Sequence, residues 1–133
     1  MRLRLTAIVT VLIVLLSVWV SVAQSPDPRS TVEGTIDALT KHLRARQFSE
    51  VVRDFEAPDD SKKPRTNTSL QQIVVSRTAK GDFDRLLAAC EHVSKLKPQM
   101  FQAGTLAIFE YVEADGKKAT FGLRRVANRW YLL

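Results

Sequence analysis

Residues Tyr111–Leu133 read YVEADGKKATFGLRRVANRWYLL, and this stretch decides the fold. Asp115-Gly116 is a two-residue hairpin signal, because Asp and Gly tolerate the positive φ that a tight turn needs. The residues before it alternate. Leu106, Ile108 and Val112 share one parity with Glu110, while Thr105, Ala107, Phe109 and Tyr111 share the other. The residues after it alternate too, with Ala119, Phe121 and Leu123 set against Thr120, Gly122 and Arg124. Ala127-Asn128-Arg129 reads as a second turn and Arg129–Leu133 as a third strand. Trp130 and Leu132 fall on one face of that strand, Tyr131 and Leu133 on the other. A strand apolar on both sides is buried or half-buried, so it closes the sheet.

Upstream the period is helical. "STVEGTIDALTKHLRARQ" puts Val32, Ile36, Leu39 and Leu43 on one stripe, with Ser30 and Glu33 at capping-box spacing. Arg44 and Arg46 complement the helix dipole at its end. "FSEVVRDFEAP" reads as a short helix capped by Ser49, with Val52 and Phe55 on one face and Pro58 as its stop. A polar loop follows. Leu70, Ile73 and Val74 sit at helical spacing behind a Ser69/Gln72 capping box. The β-branched Ile73-Val74-Val75 leaves a strand open over residues 70–78, and helix is preferred. Gly81 ends this element. Asp82 caps the clearest helix, whose face is Phe83, Leu86, Leu87, Cys90, Val93 and Leu96, and Pro98 terminates it. Helices followed by strands imply an α+β fold, with three to four N-terminal helices packed on one face of a C-terminal antiparallel β-meander.

The N-terminus has the order of a secretory signal: Arg2 and Arg4, an apolar run from Leu5 to Ala23, then polar QSPDPRS. Small residues at Ser21 and Ala23 place cleavage between Ala23 and Gln24. The run also approaches the ~20 residues that span a bilayer, so an uncleaved anchor with the domain outside the cytoplasm is the rival reading. No Cys follows the run, which gives lipid attachment no support. The expected organisation is residues 1–23 as signal or anchor, 24–30 as linker and 31–133 as one domain. Of 20 Lys+Arg, only Arg2 and Arg4 leave with the signal, so 18 face 14 Asp+Glu. That mild, scattered excess in an exported chain speaks against nucleic acid and for a solvated surface. Cys90 is the single cysteine, so no internal disulfide forms. Its place on an apolar stripe makes it a buried thiol. Asn67-Thr68-Ser69 matches the N-glycosylation pattern, taken as a chance match.

The order of elements, with "LRARQFSEVVRDF" near the start and "GKKATFGLRRVANRWYLL" at the end, resembles the nuclear transport factor two-like superfamily over residues 31–133. The resemblance implies a cystatin-like cone of helices wrapped by a curved sheet, and it permits homodimerisation. It spans isomerases, dehydratases, epoxide hydrolases, binding proteins and accessory domains, so function must be argued from a site. Family isomerases place a carboxylate or His base inside the cone. Here the candidate is Glu110. If its parity faces the core, Arg124 or Arg125 pairs with it across the hairpin and Tyr111 completes the polar end of a cavity. The plainer alternative, with Glu110 in solvent, is preferred. His42 and His92 fall off the apolar stripes and read as surface histidines. Lys117, Lys118, Arg124, Arg125 and Arg129 make the hairpins basic, as edge strands often are.

No spacing of His, Cys or carboxylates suits a metal, and no phosphate loop or nucleophile elbow is present. Nothing calls for a cofactor. The expected function is therefore an exported binding or accessory domain at the cell envelope, with a partner protein or small apolar ligand. A membrane enters only if the N-terminal run is uncleaved. An isomerase- or dehydratase-like enzyme using Glu110, and a structural component tethered by the N-terminal helix, are the alternatives.

Overall fold

A computed structural model describes residues 25–57 and 66–133. The signal or anchor segment, its cleavage point and Pro58 lie outside the described residues. The order is a short 3₁₀ turn (Pro28–Ser30), α1 (Val32–Arg44), α2 (Phe48–Phe55), α3 (Asn67–Ala79), α4 (Asp82–Val93), then β1 (Gln99–Phe101), β2 (Leu106–Val112), β3 (Lys118–Val126) and β4 (Arg129–Leu132). The sheet is antiparallel throughout, in the order β1-β2-β3-β4. Helices N-terminal to an antiparallel sheet make the fold α+β, as the change of period implies.

The α1 stripe works as read: Val32, Ile36, Leu39 and Leu43 are all buried. Thr35 is buried with them. Its hydroxyl donates to the Thr31 carbonyl at 2.7 Å, so the buried oxygen keeps a partner. Phe48 stacks on Phe83 at 4.2 Å between ring centroids, tying α2 to α4. Phe83, Ala89, Cys90 and Val93 are the buried face of α4. Leu86 and Leu87 are partly buried, while Leu96 lies beyond the helix and is exposed. Residues 70–78 are helical. None of α3 is fully buried, although Leu70, Ile73 and Val74 pack against the core.

Each helix starts one to three residues from the expected cap. Thr31 caps α1, accepting from the Gly34 N–H at 3.0 Å, because Ser30 is already wound into the 3₁₀ turn. Thr66 caps α3 by accepting from Ser69 N–H. Gln47 stands at the start of α2, and its side chain gives the helix no capping bond. Gly81, at φ 69°, precedes α4, so Asp82 is its first residue. Arg46 is more than a dipole partner. It takes φ 57° after α1, and the Arg46 and Gln47 N–H groups close onto the carbonyls of Leu43 and His42. This is a Schellman ending with arginine where glycine is usual.

The sheet has one strand more than the three expected. Gly104, at φ 80°, with Gln102 and Ala103 also at positive φ, folds Gln99–Phe101 back as β1. The segment read as a linker also carries structure. Asp27 caps the 3₁₀ turn, and that turn packs against α1 and β4. Ala107, Phe109, Phe121 and Leu123 form the inner face of the sheet and are buried under the helices. Trp130 and Leu132 face inward with them, and Trp130 is buried.

Candidate functional site

The inner parity of β2 is set by Ala107 and Phe109, which are 0% and 2% exposed. Glu110 therefore lies on the outer face, exposed, opposite Thr120. The carboxylate stands in solvent, the placement preferred from the sequence, and the core-side alternative does not hold. The apolar residues sharing its parity, Leu106 and Ile108, are only half-buried, and Val112 is exposed. The register also separates the proposed partners. Arg124 stands opposite Leu106 and Tyr131, and Arg125 opposite Trp130. Both arginines are exposed, and neither meets Glu110 in an ion pair. Tyr111 faces the other way. It is half-buried against His92, with ring centroids 5.3 Å apart, and burial first, then the Glu113 charge, push its hydroxyl pKa up. Glu110, Tyr111 and Arg124 are not brought together, and no proton-transfer site forms from them.

His92 is exposed, as its position off the stripe implies. His42 is half-buried. Its Nδ1 donates to Gln47 Oε1 at 2.7 Å and its ring meets Phe55 edge-on. Both roles are structural. Among the described residues no group of three or more His, Cys, Asp or Glu could hold a metal ion. Cys90 is fully buried, and burial pushes its thiol up to about 12. A thiol so far from ionisation is no nucleophile at neutral pH.

A groove of about 440 Å³ runs between α1 and α4, lined by Asp37, Thr40, Arg44, Glu91, Ser94 and Lys95. Its central charges satisfy each other, since Arg44 donates to Glu91 at 3.1 Å. Thr40 is also occupied, donating to the Ile36 carbonyl at 2.7 Å. The groove is polar and open, which suits neither a small apolar ligand nor a water-excluding reaction.

The other surface is the side of the sheet that the helices leave bare. Register places Phe101, Leu106, Arg124 and Tyr131 in one row across all four strands of the outer face. Ile108 and Gly122 lie in the next row, where Leu133 N–H donates to the Gly122 carbonyl. The Leu133 side chain lies over Gly122, so close that a Cβ there would meet Leu133 Cδ1 at 2.3 Å. Phe101, Val112 and Leu133 are 46%, 55% and 67% exposed. Met100 and Leu96, at the β1 edge, are exposed as well. Of the six large exposed apolar side chains among the described residues, Phe101, Val112 and Leu133 lie on the bare face, Met100 shares the parity of Ala107, Leu96 follows α4 and Val75 is on α3. Several such residues together mark a surface that meets something other than water.

The two edges of the sheet differ. Beyond β4, Glu56 makes a parallel bridge to Leu132 and the 3₁₀ turn packs alongside. Arg29 lies between the Phe55 and Tyr131 rings, 5.7 Å from each centroid, and donates to the Asp54 carbonyl. Beyond β1 the described residues place nothing, and Gln99, Met100 and Phe101 are all exposed. Sequence reasoning missed β1 and therefore this edge. The signal was Gly104, five residues past Gln99 and just before the alternation that begins at Thr105. Of the basic hairpin residues, Arg129 bonds Asp27 and Lys117 lies 3.4 Å from Asp115. Among the described residues no helix is long and apolar enough to cross a membrane.

Comparison with known proteins found no family model, no curated protein and no solved structure that matches this chain.

Proposed function

We propose that this chain is an exported accessory domain that binds a partner protein through the bare side of its sheet. The observation that carries the reading is the presence of Phe101, Val112 and Leu133, all exposed, on one face of a sheet whose opposite face is filled by the helices. Exposing them to water forgoes roughly 25 cal/mol for each Å² of apolar surface left uncovered. A partner recovers that. Aromatic side chains such as Phe101 are also enriched at protein interfaces. A small apolar ligand is less well supported, since the groove between α1 and α4 is polar. An enzyme working through Glu110 has no support, because that carboxylate stands in solvent on the outer face. The likeness to the nuclear transport factor two-like superfamily is part of the same proposal: it supplies the expectation of an accessory role and carries no residue assignment. Export rests on the N-terminal sequence pattern alone.

The experiment is co-purification of cross-linked complexes from the native envelope. The exported chain carrying Phe101→Glu with Leu133→Asp is expected to lose its partner, while Val75→Glu keeps it. Equal capture by the two variants would reject the bare sheet as the binding surface.

A further inference from the structure

In an antiparallel pair, the N–H and C=O of one residue point to the same neighbouring strand, and the direction alternates along the chain. Arg125 N–H donates to the Thr105 carbonyl at 2.8 Å, and Glu113 N–H to the Lys117 carbonyl at 2.8 Å. Those two bonds turn the odd-numbered residues of β2 toward β3 and the even-numbered ones toward β1. Leu106 and Ile108 therefore face Phe101 and Gln99, their register partners. Met100, opposite Ala107, turns its N–H and C=O away from β2 to the open edge. The edge is bounded on both sides. Pro98 has no N–H to offer, and Gln102 and Ala103, at φ 51° and 55°, leave the strand.

Natural edges are guarded by charge, proline, bulges or a covering segment. The strand Gln99–Phe101 carries no charge; its Met100 and Phe101 are 47% and 46% exposed, and Leu96 before it is 43% exposed. A second copy of this chain is a poor fit. Two edges meeting over three residues fall well short of the ~800 Å² per partner that a stable interface needs. A short extended segment needs only a few main-chain bonds and places for alternate side chains. The charges nearby select its chemistry. Lys95 and Lys97 are exposed and make no ion pair among the described residues. The carboxylates nearby are Glu110, one row beyond the Gln99–Ile108 pair, and Asp37 and Glu91, which line the groove with Lys95; Glu91 is held by Arg44, and neither lysine is paired to any of the three.

We propose that β1 is the docking edge for a short extended segment of a partner protein, apolar where it crosses Met100 and acidic beside Lys95 and Lys97. The segment adds as a fifth strand and takes up the Met100 N–H and C=O. This rests on the partner-protein reading above and specifies its mode.

The test is an NMR titration of the isolated protein with synthetic peptides. The probe has two aspartates followed by alternating valine and threonine. One counterpart replaces the aspartates by lysines, and another N-methylates the central valine. Shifts are expected at Gln99 to Gln102, with slowed exchange of the Met100 amide. Each counterpart is expected to bind about ten-fold or more weakly, the equivalent of one lost backbone bond or charge pair. Met100→Pro is expected to abolish binding, with circular dichroism checking its fold, and the N-methylated peptide tests the same bond in the unaltered protein. Shifts centred elsewhere, no shift, or equal binding of the N-methylated peptide would overturn the proposal. So would concentration-dependent protection of Met100 in the protein alone, which would make the occupant a second copy. If strand addition fails while Phe101→Glu with Leu133→Asp still loses the cellular partner, the partner-protein reading stands without it.

Discussion

The Asp27 carboxylate accepts a hydrogen bond from Nε of Arg129 at 2.6 Å, joining residues 102 apart in sequence. This bond, with Arg29 between the Phe55 and Tyr131 rings, pins the start of the domain to its last strand. The Asp27 pKa is lowered, first by the hydrogen bond from the Arg29 backbone N–H, while partial burial works against the shift and Arg129 adds to it. A carboxyl depressed in the folded state stabilises above its unfolded value of about 3.9, and that contribution is lost as pH falls through the folded value. Asp27→Asn is therefore expected to lower the thermal midpoint at neutral pH and to match the parent in strong acid. Arg29→Ala should cost more than Arg129→Ala, about 1–2 kcal/mol, because it removes two ring contacts and a bond to the Asp54 carbonyl from a mostly buried side chain. Thermal melts across pH check both.

Gly34 sits in the first turn of α1, where a Cβ would come 2.1 Å from the Pro28 carbonyl oxygen and 2.8 Å from Thr31 Oγ1. Helix propensity alone favours alanine there by about 1 kcal/mol. The clash is with backbone, so relief would push away the turn that carries Arg29. Gly34→Ala is expected to destabilise by about 1–2 kcal/mol, against the propensity scale. Urea denaturation gives the sign.

Trp130 is 4% exposed on the inner face of β4. Trp130→Ala should cost about 3–5 kcal/mol, the usual range for a large aromatic removed from a core. Removing Trp130 to Leu133 also strips the β3–β4 ladder and the Glu56–Leu132 bridge. That variant is expected to show no cooperative thermal transition. A cooperative melt would mean that β4 does not close the core.

Cys90 should ignore Ellman's reagent in the native state and react fully on unfolding, because burial holds its pKa at about 12. An acid whose folded value is raised stabilises fully below its unfolded value, about 8.5 for a thiol, and loses that contribution as pH rises toward the folded one. Cys90→Ala should therefore show a weaker decline in stability above about pH 9 than the parent. Rapid labelling of the native protein would contradict the burial.

The helices and the meander were legible because each rests on a local period. Val32, Ile36, Leu39 and Leu43 announce α1 without reference to the rest of the chain. Caps were legible only to within one to three residues. Ser30 and Thr31 both suit the N-cap, and the 3₁₀ turn that consumes Ser30 is set by Asp27 and Pro28. The facing of β2 was ambiguous because both parities are apolar apart from Glu110. Only packing under the helices selects Ala107 and Phe109. Strand β1 is too short to show a period, and the contact of Asp27 with Arg129 leaves no trace in local sequence. The open edge and the bare face, on which the functional proposal rests, therefore emerge only from tertiary structure.

The central claim is that the bare sheet meets a partner protein. A photo-cross-linking residue placed at Phe101 or at Val75 in the full-length protein, irradiated in the cells that make it, tests it most directly. Val75 is 69% exposed against 46% for Phe101, so exposure alone favours the α3 position. The expected result is one discrete protein adduct from Phe101 and none from Val75. Adducts of equal yield from both positions, or from Val75 alone, would contradict the account.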